Sequence, residues 1–308
     1  MEVVAIILPV FVMLGLGMSA NRFHWVTREG LDGIKLLATN VMLPVVLVNA
    51  LGTAQYQFST LLIVGVMLLQ LFVALGVGYL ARPLIGAQGR YLPFLTSTFE
   101  GGMMGYPLYI ALCGSAMLFH IAALDMANCI FTFTVYLTLI TATGQKNSEK
   151  RQLLHTILHA PAMYGVVLGI LLGVTGILPR LVASQAGDVY TSLIDMITTP
   201  VSALILFCVG YDLQLDRSVL SAAVKSAFLR LLLQGILLVC VWFVIRRFAT
   251  EQEMMIALVL YAFMPPCFMS PLYAVSAEDK AYTSTTISFY TLISIAAFTV
   301  ISFLFHGI

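Results

Sequence analysis

FEGGMMGYP at residues 99–107 and FMPPCFMSP at residues 263–271 each interrupt a long apolar stretch. Three glycines and one proline stand in the first sequence, and three prolines stand in the second. Proline removes a backbone donor and clashes with the preceding helical turn, so both stretches should break a helix. Unwound backbone at membrane depth persists only where protein or a water-filled cavity surrounds it. One such break would favour a simple packing kink, but a matched pair of breaks indicates a binding site.

The composition is that of a membrane protein. Of the 308 residues, 60% are hydrophobic and only 9% are charged, whereas a soluble domain has about 25% charged residues. The net charge of +1 argues against nucleic-acid binding, which needs a strongly basic face. The five cysteines lie inside apolar runs without a CxxC pair, so no disulfide framework, metal site or cofactor is expected. Most of the surface must therefore face the lipid bilayer.

Ten transmembrane helices account for the apolar stretches. A helix needs roughly 20 apolar residues to cross ~30 Å of hydrocarbon. The predicted spans are 3–20, 34–52, 61–85, 92–117, 121–142, 157–178, 189–211, 220–245, 254–277 and 282–305. A hydrophilic linker at 145–154 separates a first five-helix repeat, 1–144, from a second, 155–308. The sequence thus predicts an all-α membrane protein of ten transmembrane helices.

Basic residues set the predicted orientation of these helices. With the N-terminus outside, eleven of the fifteen Lys and Arg residues fall in cytoplasmic loops, three fall in outer loops, and Arg230 remains inside span eight. Cytoplasmic loops of membrane proteins are enriched in Lys and Arg. An even number of spans then places both termini outside.

The second half of the chain repeats the first. A shift of 164 positions places Gln70 on Gln234 and Pro107 on Pro271 without a gap. Because each repeat has five spans, an odd number, the two copies must enter the membrane in opposite orientations. Inverted repeats of this kind are typical of secondary transporters, whose binding sites lie at paired broken helices near the bilayer midplane.

The chain resembles the auxin efflux carrier family, which comprises bacterial permeases and plant PIN-formed proteins of the bile-acid/arsenite/riboflavin transporter superfamily. In span four the plant pattern Pro-Asn-x4-Gly-x-Pro is matched by Gly105 and Pro107, and in span nine the pattern Pro-x4-Pro is matched by Pro266 and Pro271. Glu100 stands where the family usually has Asn. The similarity covers nearly the whole chain, and the short central linker is like that of the bacterial members.

The resemblance implies a crossover of the broken helices four and nine, with the solute bound beside it. It also implies a scaffold of spans 1, 2, 6 and 7 that forms a homodimer, and a mobile transport domain of spans 3–5 and 8–10 that moves by an elevator-type mechanism. The bacterial relatives imply a location in the inner membrane. Gly165, Gly169 and Gly173 on span six allow close helix packing, either within this scaffold or at a dimer seam.

The candidate substrate-binding residues are those of the two breaks. They are Glu100, Gly101, Gly102, Met103, Met104, Gly105, Tyr106, Pro107, Pro265, Pro266, Cys267, Phe268, Met269, Ser270 and Pro271. Broken helices present positive dipole ends that suit a carboxylate, which an ionised Glu100 would repel. Glu100 is therefore expected to take up a proton, to bind a cation such as Na+, or to serve a solute that is not a simple anion.

Three charged residues inside spans, Glu100, Asp125 and Arg230, are candidates for coupling or for a charge pair, because intramembrane charges are costly. Arg230 fits a salt bridge to Glu100 or Asp125 as well as it fits a substrate carboxylate. For Asp125, a solvated turn at the start of span five is favoured over a coupling role.

A secondary transporter of a small organic solute, with a carboxylate favoured, explains the repeats, the paired breaks and the few buried charges together. A channel would need a continuous polar pore lining, and an enzyme would need a paired catalytic constellation; the sequence shows neither. The chain is therefore not expected to be an enzyme. An uncoupled channel-like facilitator is the alternative, and an intramembrane enzyme is less favoured.

Overall fold

The computed structural model describes residues 2–53, 56, 58–144, 161–213 and 215–306, and the regular structure in these ranges is helical. The α-helices, numbered in chain order, are α1 (Glu2–Arg22), α2 (Arg28–Leu37), α3 (Leu43–Gly52), α4 (Phe58–Ala81), α5 (Leu92–Ser97), α6 (Tyr106–Cys113), α7 (Phe119–Phe131), α8 (Leu137–Gly144), α9 (Pro161–Val174), α10 (Ile177–Val182), α11 (Gly187–Asp212), α12 (Leu220–Ile245), α13 (Gln252–Ala262) and α14 (Ala277–His306). The predicted linker at 145–154 lies outside the described residues.

Seven helices of the described residues are long and apolar enough to cross a membrane. They are Val4–Arg22, Arg28–Gly52, Phe58–Leu84, Phe119–Thr143, Gly187–Asp212, Leu220–Ile245 and Ala277–Phe305. They coincide with predicted spans 1, 2, 3, 5, 7, 8 and 10, which confirms an all-helical, multi-pass membrane protein. Spans four and nine consist of shorter, interrupted helices, and span six begins outside the described residues. The ten-span inverted repeat stays a prediction.

Three short π-helical segments interrupt the described helices, at Ala38–Met42, Gly101–Gly105 and Thr132–Tyr136. Such π-turns are rare and often mark functional sites. The first lies directly before α3, where the ring of Pro44 would clash with the carbonyl of Asn40 in a regular helix, so the wider turn makes room for the proline. The second consists of candidate site residues in span four, and the third lies in span five.

Glycines let two pairs of helices pack at backbone distance. Helix α1 lies against α11, where a Cβ on Gly17 would stand 2.0 Å from the carbonyl oxygen of Phe207. Helix α9 lies against α3, where a Cβ on Gly169 would stand 3.0 Å from the carbonyl oxygen of Leu47. The other two glycines of the stripe on span six also meet the backbone of α3. This stripe therefore packs within the chain, as small residues do in membrane helix pairs.

Most of the other helices pack around residues 98–100 and 264–267, where the helices of spans four and nine are interrupted. Helix α4 lies against α5 and α7, α12 lies against α4, α5 and α14, and α13 lies against α7 and α12. Aromatic rings fill the space between them: Phe94 and Tyr136 meet edge to face with centroids 5.6 Å apart, and Phe99 and Tyr261 lie 4.8 Å apart. Much of the buried core is thus built around the residues of the candidate site.

Replacing Gly17 with alanine should destabilise the protein, because the added methyl group would collide with the backbone of α11. Overpacking of this kind costs about 1–3 kcal/mol. Gly15→Ala on the same helix is the matched control, since nothing lies within 4 Å of a Cβ at that position. Thermal unfolding in detergent should show a lower Tm for Gly17→Ala alone. Equal Tm values for the two variants would contradict the close contact of α1 with α11.

Candidate functional site

The first interruption lies at residues 98–100, just before the glycines. Helix α5 ends, and Thr98 adopts extended backbone angles (φ −111°, ψ 162°). The chain becomes helical again at Gly101, first as a π-helix and then as α6. Residues 101–107 are therefore helical rather than unwound, because the wider π-turn directly before α6 makes room for the ring of Pro107.

The second interruption lies at residues 264–267, where the prolines predict it. These residues have no regular structure, and a short 3-10 turn follows them. Two hydrogen bonds join this interruption to the first. The N–H of Glu100 donates to the carbonyl oxygen of Pro265 at 2.8 Å, and the N–H of Cys267 donates to Oγ1 of Thr98 at 3.3 Å. Each interruption thus provides hydrogen-bond partners for backbone groups of the other.

Glu100 caps the N-terminal ends of the segments that follow both interruptions. Its Oε1 accepts a hydrogen bond from the N–H of Met103 at 3.2 Å, and its Oε2 accepts one from the N–H of Phe268 at 2.8 Å. A carboxylate in this position satisfies N–H groups that lack helical partners, and at the first segment the positive end of the helix dipole favours its charge. Glu100 as a residue is partly exposed, while each of its carboxylate oxygens is held by one of these N–H groups.

Arg230 on α12 caps the opposite ends of the broken helices. Its Nη1 donates to the carbonyl oxygen of Leu95 at 2.8 Å, and its Nη2 donates to that of Met264 at 2.9 Å. The rings of Phe99 and Tyr290 flank the guanidinium at 5.0 and 4.9 Å. Cations are favoured both at the negative C-terminal ends of helices and over aromatic faces. Arg230 therefore fastens the first halves of spans four and nine together.

The salt bridge considered for Arg230 does not form in this structure. The ion pairs made by the described residues do not include Arg230, Glu100 or Asp125. Carbonyl dipoles and aromatic faces stabilise the buried cation instead of a carboxylate. Because Arg230 is only 1% exposed, its guanidinium is also out of reach of a solute in this conformation.

Asp125 is buried rather than placed in a solvated turn, so that interpretation of the sequence is wrong. It lies in the second turn of α7 and is 4% exposed. Its Oδ2 accepts from the hydroxyl of Tyr106 at 2.6 Å, and its Oδ1 accepts from the hydroxyl of Tyr261 at 2.5 Å. A Cβ on Gly101 would stand 2.3 Å from Oδ1, so the carboxylate occupies space that only a glycine leaves free. Hydroxyl donors from two neighbouring spans make this burial possible.

Asn128, which the sequence patterns did not single out, provides hydrogen-bond partners for the backbone of the first interruption. Its Oδ1 accepts from the N–H of Phe99 at 3.1 Å, and its Nδ2 donates to the carbonyl oxygen of Phe99 at 2.9 Å. Beside the second interruption, Ser294 on α14 donates to the carbonyl oxygen of Phe263 at 2.5 Å. Polar side chains inside apolar spans are the signal that could have found both residues, because such groups usually bond to backbone or to neighbouring helices.

The predicted substrate-binding residues divide into a buried set and a partly exposed set. The buried set consists of Gly101, Met104, Gly105, Tyr106, Pro107, Pro265, Pro266, Cys267 and Ser270. The partly exposed set consists of Glu100, Gly102, Met103, Phe268, Met269 and Pro271. Only the second set is accessible to a solute in this conformation, whereas the first set shapes the backbone behind it.

A family model described as membrane transport protein matches residues 2–302, nearly the whole chain. The chain belongs to this family. It is the family of auxin efflux carriers and PIN-like transporters, so the resemblance based on the broken helices is confirmed. No curated protein matches the chain. Membership in the membrane transport protein family indicates a membrane transporter and is consistent with a role other than that of an enzyme.

Replacing Arg230 with methionine should destabilise the fold, because the carbonyl oxygens of Leu95 and Met264 would lose their donors inside the protein. A buried polar group without a partner costs about 1–3 kcal/mol. Arg246→Met, just beyond the end of α12 and exposed, is the matched control. Thermal unfolding should show a lower Tm for Arg230→Met alone. A stable Arg230→Met protein that has lost solute binding would show instead that Arg230 contacts the solute.

Proposed function

We propose that the chain is a secondary transporter that moves a small organic solute across the membrane by elevator-type alternating access. The observation that carries this proposal is the joining of two broken helices through Glu100. Its carboxylate is hydrogen-bonded to the segment after each break, and the residue is partly exposed. Broken helices at matching positions of two repeats form the solute and ion sites of many secondary transporters. Membership in the membrane transport protein family supports the same conclusion.

Contacts between matched positions support an inverted repeat of the units 1–144 and 155–308. Nε2 of Gln70 donates to Oε1 of Gln234 at 2.9 Å, and these residues are 164 positions apart, which is the shift that relates the two halves. Residues related by a two-fold axis can touch only where they lie near that axis. The glycine contacts follow the same relation, since span one packs on span seven and span six packs on span two. A two-fold axis in the membrane plane accounts for both observations.

The hydrogen bonds between the two interruptions support a crossover of helices four and nine near the bilayer centre. The close pairs α1–α11 and α3–α9 support a scaffold of spans 1, 2, 6 and 7. The packing of α4, α5, α7, α12, α13 and α14 around the breaks supports a transport domain of spans 3–5 and 8–10. In an elevator mechanism, this domain carries the solute past the scaffold.

Ion pairs among the loops support an orientation with both termini outside. Arg28 and Lys35 near the start of span two pair with Asp212 at the end of span seven. Arg90, between spans three and four, pairs with Asp279 at the start of span ten. Each contact joins a predicted cytoplasmic loop of one repeat to one of the other, so these basic loops share a face. We place that face in the cytoplasm of a bacterium and the chain in the inner membrane.

A homodimer formed through the scaffold is part of the same proposal. The glycine stripe on α9 is already used against α3 within the chain. The dimer contact must therefore use the outward side of the scaffold helices. The stripe itself is not free to form the seam.

Glu100 is the group through which a proton or Na+ would couple transport. It is the acidic residue of the partly exposed set, whereas Asp125 is buried under two tyrosine hydroxyls and Arg230 is engaged with carbonyl oxygens. The carboxylate solute that the sequence favours could bind next to Glu100 only after a proton or a cation had neutralised it. Coupling and solute chemistry are therefore set at the same side chain.

Protein reconstituted in liposomes should show saturable counterflow. A solute found by a thermal-shift screen against metabolites, where a ligand of the folded state raises Tm, would be loaded inside the liposomes. Uptake of the labelled solute from outside should then be faster than into empty liposomes, because a carrier returns faster when loaded. Uptake that rises linearly with concentration and is not accelerated by internal solute would indicate a channel-like facilitator instead.

Glu100→Gln should remove the pH dependence of uptake if Glu100 takes up a proton, because the amide stays neutral at every pH. If Glu100 binds Na+, the same variant should lose the effect of Na+ on uptake. Glu29→Gln, the same change at an exposed position of α2, is the matched control and should leave both profiles unchanged. A Glu100→Gln protein with unchanged pH and Na+ profiles would refute the coupling role, whatever its Tm.

A further inference from the structure

The chain's own side chains already occupy the charged ends of the broken helices. Glu100 accepts from the N–H groups of Met103 and Phe268, and Arg230 donates to two carbonyl oxygens at the opposite ends. Helix ends attract ions because their backbone groups lack partners. A carboxylate solute would have to displace Glu100 from these two N–H groups or lie beside an equal charge. The broken helices therefore give weaker support for an anionic solute than their dipoles alone suggest.

The ionisable side chains at the partly exposed end of the site are acidic. Glu100 is partly exposed, and the carboxylate of Asp125 lies directly against Gly101, the next residue. Neither acid takes part in an ion pair with a described residue. The positive charge of Arg230 is 1% exposed and lies over the ring of Phe99. A positively charged group therefore complements this surface.

The surroundings of Glu100 fit an organic cation better than a metal ion. Met103, Phe268 and Met269 are partly exposed at the two interruptions and carry thioether and aromatic groups. Aromatic rings attract ammonium groups, and methionine adapts to apolar ligand surfaces, whereas Ca2+ needs about 6–8 oxygen ligands. Among the described residues, no group of three or more His, Cys, Asp and Glu side chains is placed to hold a metal ion.

We propose that the solute carries an ammonium group, which pairs with the Glu100 carboxylate in exchange for a proton. The proposal rests on the transport function proposed above and names the substrate class of the same site. The carboxyl group of Glu100 releases its proton when the ammonium group binds and takes up a proton when it leaves. One positive charge replaces another, so the exchange couples the movement of the solute to that of a proton in the opposite direction.

Matched probes test this proposal on the purified protein. Butylammonium chloride and butyltrimethylammonium chloride carry the positive charge, and potassium butyrate has the same carbon chain with a negative charge. Potassium chloride and sodium chloride at equal ionic strength control for salt and for Na+. We expect the ammonium salts to raise Tm and to bind at least tenfold more tightly than butyrate. Their affinity should fall as pH falls, because protons compete for Glu100, while the charge of the quaternary probe does not change.

Variants assign the effect to Glu100. Other titratable groups that interact with it are Asp125 and Cys129 on α7, Tyr106 on α6, Tyr136 and Cys267. Tyr261 on α13 bonds to Asp125, and Arg230 lies over the ring of Phe99. Glu100→Gln should lose at least tenfold in ammonium affinity together with the pH dependence. Glu29→Gln should change neither. If Glu100→Gln does not fold, Glu100→Asn keeps an N-cap acceptor without the charge.

Several results would overturn the proposal. Stabilisation by butyrate or sodium chloride alone would do so, as would ammonium binding that is unchanged in Glu100→Gln. A panel in which no probe binds in a Glu100-dependent way would also overturn it. The transport function is tested separately by counterflow: a protein that exchanges a carboxylate is a transporter for which this solute class is wrong. Binding of ammonium salts through Glu100 without counterflow would support the proposed ammonium site and refute the transport function.

Discussion

Backbone groups that are freed by breaking a helix inside a membrane must find partners away from water. Each group left without one costs several kcal/mol in hydrocarbon, so a broken helix survives only where neighbouring side chains replace the lost bonds. In this protein Asn128 holds both backbone groups of Phe99. Arg230 holds the carbonyl oxygen of Leu95, before the first break, and that of Met264, at the start of the second. Glu100 then binds one N–H group after each break. The positions of α7 and α12 follow from this requirement, because these helices carry Asn128 and Arg230.

Two kinds of contact stabilise the molecule, namely buried hydrogen bonds around the breaks and close helix packing at glycines. Around the breaks, buried polar side chains form hydrogen bonds in a low-dielectric interior, where such bonds fix a single arrangement. Between α1 and α11, and between α3 and α9, glycines bring backbones into contact, and van der Waals packing supplies the attraction. Hydrogen bonds depend on direction, whereas the van der Waals contacts at the glycines do not. The hydrogen-bonded unit around the breaks is therefore suited to keep its internal geometry, and the glycine-packed helices are suited to form a continuous frame.

Much of this fold could be predicted from the sequence, because lipid imposes simple rules on length and polarity. Long apolar runs gave the long helices, and the prolines at residues 265 and 266 correctly located the second break. The first break lies at residues 98–100, at the beginning of the predicted stretch and not at its glycines, since glycines permit either a break or a π-turn and the choice is made by Glu100 and Asn128. The partners of Arg230 could not be predicted, because a cation can bind any buried carbonyl oxygen and the sequence does not show which ones converge. Asp125 was misplaced for the same reason: its hydroxyl partners come from two other spans.

The double contact of Glu100 makes the stiffness of the site depend on its charge. An ionised carboxylate has two equivalent acceptor oxygens, and here each holds the N–H group of a different chain segment, Met103 in one and Phe268 in the other. A protonated carboxyl group has one good acceptor oxygen, while its hydroxyl becomes a donor. Neutralisation therefore weakens one of the two attachments while leaving the other in place. Uptake of one proton by Glu100 thus loosens one link between the two chain segments, while the N–H of Glu100 and the guanidinium of Arg230 continue to join them.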